Sequence, residues 1–147
     1  MEKAIYFDMD GTIANLYGYE NWLSELRARN SAPYEKAAPL LPLQPLAKRL
    51  NKLQRNGWTL GIVSWLSKES TVEYDEKVTK AKKKWLKRHL QSIQWNEVHI
   101  VEYGTPKHEV VKFPRGILFD DEEKNRINWS GTAYDVNNIM EVLKAID

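Results

Sequence analysis

The sequence predicts an α/β protein: a Rossmann-like three-layer sandwich on a five-stranded parallel sheet, with a small helical cap insertion. Three observations carry this. Short apolar runs recur along the chain, amphipathic stretches of helical period separate them, and one proline-rich stretch interrupts the alternation. Short continuous apolar strands suit a parallel sheet covered on both faces. Alternation of strand and helix gives a doubly wound arrangement.

Ala4 to Phe7 reads as the first, buried strand. Tyr19 to Arg29 then reads as a helix, with Trp22, Leu23 and Leu26 sharing a face. Residues 30 to 45, with Pro33, Pro39, Pro42 and Pro45, read as irregular chain. Together these segments form an insertion over about residues 15–42. Leu43 to Arg55 repeats Leu46, Leu50 and Leu53 at helical spacing until Gly57 stops it. Trp58 to Val63 is the second strand, and Thr71 to Leu90 a helix with Val78, Ala81, Trp85 and Leu86 on one side. Val98 to Val101, Ile117 to Phe119 and Thr132 to Tyr134 supply the last three strands. Asp135 caps a final helix with Ile139, Val142 and Ile146 facing inward.

At 147 residues the chain, 1–147, is expected to be a single domain. Being 42% hydrophobic and 11% aromatic, it can fill a core without disulfides or structural metals. The absence of cysteine excludes thiolate metal sites and thiol nucleophiles. No apolar run is long enough for a signal peptide or membrane span, so a soluble, cytoplasmic protein without a membrane partner is expected. A net charge of +2, from 22 basic and 20 acidic residues, gives no general argument for nucleic acid.

Asp8-Met9-Asp10-Gly11-Thr12 follows the first strand directly. In an open parallel sheet the C-terminal strand ends face the ligand crevice, so both carboxylates arrive there. A carboxylate can attack phosphorus and form an acyl phosphate, splitting hydrolysis into two easier steps. A second acid can protonate the departing alkoxide and later take a proton from water. Asp8 suits the first role and Asp10 the second. The fourth strand runs into Asp120-Asp121, and so dense a cluster of carboxylates calls for a cation. Mg²⁺ prefers such hard oxygen ligands. Asp8, Asp120 and the Met9 main-chain carbonyl are the expected direct ligands, Asp121 acts through water or by orienting them, and Asp10 completes the metal set. Asn125 is expected behind the acids, and Ser64 and Lys107 on the phosphate. Trp65, next to Ser64, lines the phosphate and substrate pocket. Tyr17 and Trp22 either cover the substrate or pack the insertion onto the core.

These strand-end elements, in this order, resemble the haloacid dehalogenase-like (HAD) hydrolase superfamily over nearly the whole chain. The resemblance implies a five-stranded Rossmann-like sheet and an aspartyl-phosphate intermediate. Dehalogenases of that superfamily lack an acid at the position of Asp10 and ion-pumping ATPases carry threonine there, so aspartate looks like the phosphatase branch. The segment from Lys107 to Asp121 is similar to the 5′(3′)-deoxyribonucleotidases, which also carry a small helical cap at this point. The expected function is therefore a Mg²⁺-dependent phosphomonoesterase acting on a small phosphorylated metabolite, a nucleoside monophosphate first. A nucleic-acid end phosphatase and a non-catalytic phosphate-binding module are the alternatives. The first of these would use the basic helix bearing Lys77, Lys80, Lys82, Lys83, Lys84, Lys87 and Arg88, which otherwise reads as a solvated face.

Overall fold

The computed structural model describes residues 2–147. Strands β1 (Ala4–Phe7), β2 (Thr59–Trp65), β3 (Glu97–Val101), β4 (Ile117–Phe119) and β5 (Thr132–Tyr134) form one sheet in the order β3-β2-β1-β4-β5. Every neighbouring pair is parallel. Helices α1 (Trp22–Arg27) and α2 (Ala32–Lys36) lie between β1 and α3 (Leu43–Arg55). Helix α4 (Val72–His89) follows β2, α5 (Lys107–Val110) follows β3, α6 (Glu123–Asn128) follows β4 and α7 (Ile139–Ala145) follows β5.

Alternation along β1 divides the core between two faces. Ile5 and Phe7 join Leu46 and Leu50 of α3, Trp85 of α4 and Leu143 of α7. Ala4 and Tyr6 point the other way, towards Val111 and Trp129. Helical segments therefore cover both sides, giving an α/β Rossmann-like fold. Among the described residues no helix is long and apolar enough to cross a membrane.

Register sets the positions of the acids. Phe7 pairs with Ile62 on one side and Phe119 on the other. Asp8 and Asp120 are thus the next residues of two adjacent strands. The ladder reaches past the strand ends: the Asp8 amide donates to the Phe119 carbonyl at 2.9 Å, and the Asp120 amide to the Tyr134 carbonyl at 3.2 Å. Both backbones are pinned at the point where the strand order reverses, which is where open α/β sheets form their crevice.

Several elements differ from expectation; β3 starts one residue early, and Asp135 caps a 3-10 turn, Val136–Asn138, ahead of the final helix rather than the helix itself. β2 runs on to Trp65, carrying Ser64 inside the sheet. The first helix is shorter than residues 19–29, because Asn21 and Arg29 both take left-handed backbone, at φ 60° and 61°. The stretch expected to be irregular contains α2, started by Pro33 in its first turn, where proline's missing amide costs nothing. A third cluster, including Leu16 and Tyr34 of the insertion with Leu66, Tyr74 and Val78, holds the insertion against α4. Its two ends are tied where the Asn15 amide donates to Ala38 and the Leu40 amide to Ile13.

Candidate active site

Carboxylate oxygens of Asp8, Asp120 and Asp121 all lie within 4.8 Å of one another. Oxygen is the sole donor type in this set, which fits a small hard cation. Asp8 is held at both oxygens: Lys107 Nζ donates to Oδ1 at 3.1 Å and the Thr12 hydroxyl to Oδ2 at 3.1 Å. Lys107, the first residue of α5 and 4% exposed, also donates to Asp120 Oδ2 at 2.6 Å. An ammonium has three hydrogens, so one remains after these two bonds. Asp120 further accepts from the Glu122 amide at 2.9 Å and from Asn125 Nδ2 at 3.2 Å.

The charges follow from this crowding. Burial and the Asp8 charge push the Asp120 carboxyl up to about 6, although Lys107 pulls the other way. Asp121 rises to about 8 for the same two reasons. Burial alone would lower the Lys107 ammonium, but Asp8 and Asp120 outweigh it and hold it above its usual range. A bound cation would relieve the excess of negative charge that raises the acids.

Two parts of the expected metal set lie elsewhere. The Met9 carbonyl accepts from the amides of Thr12, Ile13 and Ala14 at 3.0–3.1 Å and is committed to the turn after β1. The Asp10 carboxylate is outside the cluster: its Oδ2 meets Lys82 Nζ at 2.9 Å. Among the described residues no backbone amide of the turn donates to the Asp10 carbonyl. Burial pushes the Asp10 carboxyl above its ordinary range against the pull of Lys82, and the Asp8 charge adds to the rise.

A cavity of about 510 Å³ opens over the acids, lined by Asp8, Asp10 and Lys107 with Tyr17, Trp22 and Trp65. Tyr17 and Trp22 meet edge to face at 5.0 Å between ring centroids. Trp65 is fixed by its indole N–H on the Thr105 carbonyl at 2.7 Å, and Lys107 lies 5.5 Å from its ring. Ser64 is fully buried, and its Oγ accepts from Lys82 Nζ at 2.7 Å.

Lys82 is the residue that sequence reasoning misplaced. Grouped with the solvated lysines of α4, it is instead wholly buried. It stands four residues after Val78 and three before Trp85, on the apolar stripe of the helix. That spacing separates it from Lys80, Lys83, Lys84 and Lys87, all of which are exposed.

An open parallel α/β sheet with an acidic site at its switch point is the class of protein that fold and site define. No family model and no curated protein matches the sequence. Among solved structures the chain is similar to D,D-heptose 1,7-bisphosphate phosphatase from Burkholderia thailandensis, with a TM-score of 0.55 and 12% identity over 99% of this chain and 86% of that one. The HAD domain of the effector protein Lem4 from Legionella pneumophila aligns over 91% of this chain and 84% of its own, at 13% identity and a TM-score of 0.40. At such identity the first likeness speaks for the fold, and the second is too loose to add to it.

Proposed function

We propose that this chain is a Mg²⁺-dependent phosphomonoesterase working through an aspartyl phosphate on Asp8, with small phosphorylated metabolites, nucleoside monophosphates first, as substrates. The observation that carries this is the meeting of Asp8, Asp120 and Asp121 within 4.8 Å at adjacent strand ends, with Lys107 bonded to the first two. The fold of a bisphosphate phosphatase supports it.

Asp8, Asp120 and Asp121 would hold the Mg²⁺, with the Asp10 carbonyl as the backbone oxygen left open for it. Bound there, the ion would screen the phosphoryl charge from the acids. An Asp8 carboxylate oxygen attacks phosphorus, and the ester P–O bond breaks. Asp10 gives its proton to the departing oxygen, which leaves as an alcohol. A water then attacks the acyl phosphate and gives its proton to Asp10, releasing phosphate and restoring Asp8. The third hydrogen of Lys107 suits a non-bridging oxygen. The raised carboxyl of Asp10 suits a proton donor. The aromatic lining by Tyr17, Trp22 and Trp65 favours a substrate with a flat base.

A panel of sugar, nucleoside and aryl phosphates, assayed with Mg²⁺ and with EDTA, tests the proposal. Turnover of at least one monoester is expected with Mg²⁺, and its loss in Asp8→Asn. Lack of turnover throughout, or an Asp8→Asn variant as active as wild type, would sink it.

A further inference from the structure

We infer that Lys82 is a positioning residue that fixes the proton-transfer carboxylate of Asp10, its ammonium being anchored on Ser64 and the Trp65 carbonyl at the end of β2. This rests on the proposed phosphatase reaction and adds a residue to it. Lys82 Nζ makes three short polar contacts: Asp10 Oδ2 at 2.9 Å, Ser64 Oγ at 2.7 Å and the Trp65 carbonyl at 2.7 Å. An ammonium has three hydrogens and no lone pair. All three are therefore used, and none is left for a phosphoryl oxygen. In this respect Lys82 differs from Lys107, which keeps a hydrogen free and lines the open cavity.

Each contact has a consequence for the reaction. Asp10 is held by one oxygen, and among the described residues Oδ1 makes no hydrogen bond, so it is the oxygen free to pass the proton. Ser64 accepts from Lys82 through Oγ, and this fully buried hydroxyl seats the ammonium beneath the cavity. The bond to the Trp65 carbonyl anchors the ammonium to the end of β2. One side chain thus ties the ends of β1 and β2 together, as Lys107 ties those of β1 and β4. The Tyr34 ring of α2, 5.1 Å from the ammonium, covers it from the insertion. Its hydroxyl is in turn bonded to Ser67 Oγ at 2.7 Å. A solvated lysine would need no such enclosure, and a buried charge is tolerated only when paired and hydrogen-bonded.

The test uses p-nitrophenyl phosphate, whose phenolate leaves without a proton, so that forming the acyl phosphate needs no acid while cleaving it still needs Asp10. Wild type, Lys82→Met, Asp10→Asn and Asp10→Asn/Lys82→Gln are compared with Mg²⁺, by rapid-mix nitrophenol release and by steady-state turnover. In Lys82→Met the first release is expected to stay within about tenfold of wild type while steady-state turnover falls about 10²-fold, the cost of a misplaced catalytic group. The outcome is a burst of one nitrophenol per site followed by slow turnover. Should both rates fall by the same factor, or neither move, the positioning role is overturned and Lys82 merely packs. If Lys82→Met does not fold, the double variant decides, since it leaves no unpaired charge buried. Its turnover should match that of Asp10→Asn, because residues acting as a unit are not additive. A further fall of more than about tenfold beyond Asp10→Asn would mean that Lys82 acts independently, against the proposal. A wild type that turns over no monoester overturns the phosphatase reaction and this role together; an active wild type with an indifferent Lys82 overturns this role alone.

Discussion

Gly11 shows how closely single atoms are set around the acids. Its backbone stands at φ 80°, and a Cβ there would come 2.3 Å from Asp121 Oδ2 and 2.9 Å from the Tyr17 ring. Gly11→Ala therefore combines left-handed strain of about 1–2 kcal/mol with eviction of the Asp121 carboxylate. The expected result is a modest loss of stability and a large loss of Mg²⁺ affinity, both measurable by thermal melts across a Mg²⁺ titration. Unchanged Mg²⁺ affinity would remove Asp121 from the proposed cation site. The Asp8-Met9-Asp10-Gly11 run is legible in sequence because its residues are consecutive and sit at a strand end. The Met9 carbonyl is not, because only the folded turn shows that three amides occupy it. Lys82 was hidden for another reason: its neighbours in sequence are solvated lysines, and helical spacing alone separates it from them.

The elements that carry the site were largely visible before folding. β1, β4 and β5 have the predicted bounds; the first two are buried strands flanked by charged or glycine residues, which have few alternatives, and β5, at the sheet edge, is bounded by Gly131 and Asp135. The insertion was less legible, because its turns depend on left-handed residues and on packing against α4 rather than on period. Helix α4 connects the two. Its N-terminus is capped by Thr71, whose side chain accepts from the Tyr74 amide at 3.2 Å, and Tyr74 in turn donates to the Asn30 carbonyl of the insertion at 2.9 Å. Thr71→Ala should cost about 1 kcal/mol, or about 2–4 °C in a chain of this size. Because Lys82 lies nearly three turns further on, beyond the reach of fraying, the variant should keep its kcat at low temperature. A drop in kcat at unchanged melting temperature would show that the cap positions the site rather than the helix.

At the scale of the whole molecule, the acid cluster makes stability depend on pH and on the cation together. Asp120 and Asp121 sit at about 6 and about 8 in the fold, against an ordinary value of 3.8. Between about pH 4 and 8 the metal-free folded protein therefore binds more protons than the unfolded chain. Stability then falls as pH rises through that window, the slope following the excess of protons bound in the folded state. Mg²⁺ competes with those protons, so its stabilising effect should grow with pH. At a concentration a hundredfold above its Kd, a ligand of the folded state adds about 2.7 kcal/mol, or about 5–10 °C for a chain of this length. Thermal melts with Mg²⁺ and with EDTA at pH 5.5 and 8 measure this. The gain from Mg²⁺ should be several degrees larger at pH 8, and Asp121→Asn should shrink the difference by removing the carboxylate with the larger rise. A gain independent of pH would mean that the cation does not displace protons from this cluster, and an absent gain would place any bound Mg²⁺ outside it.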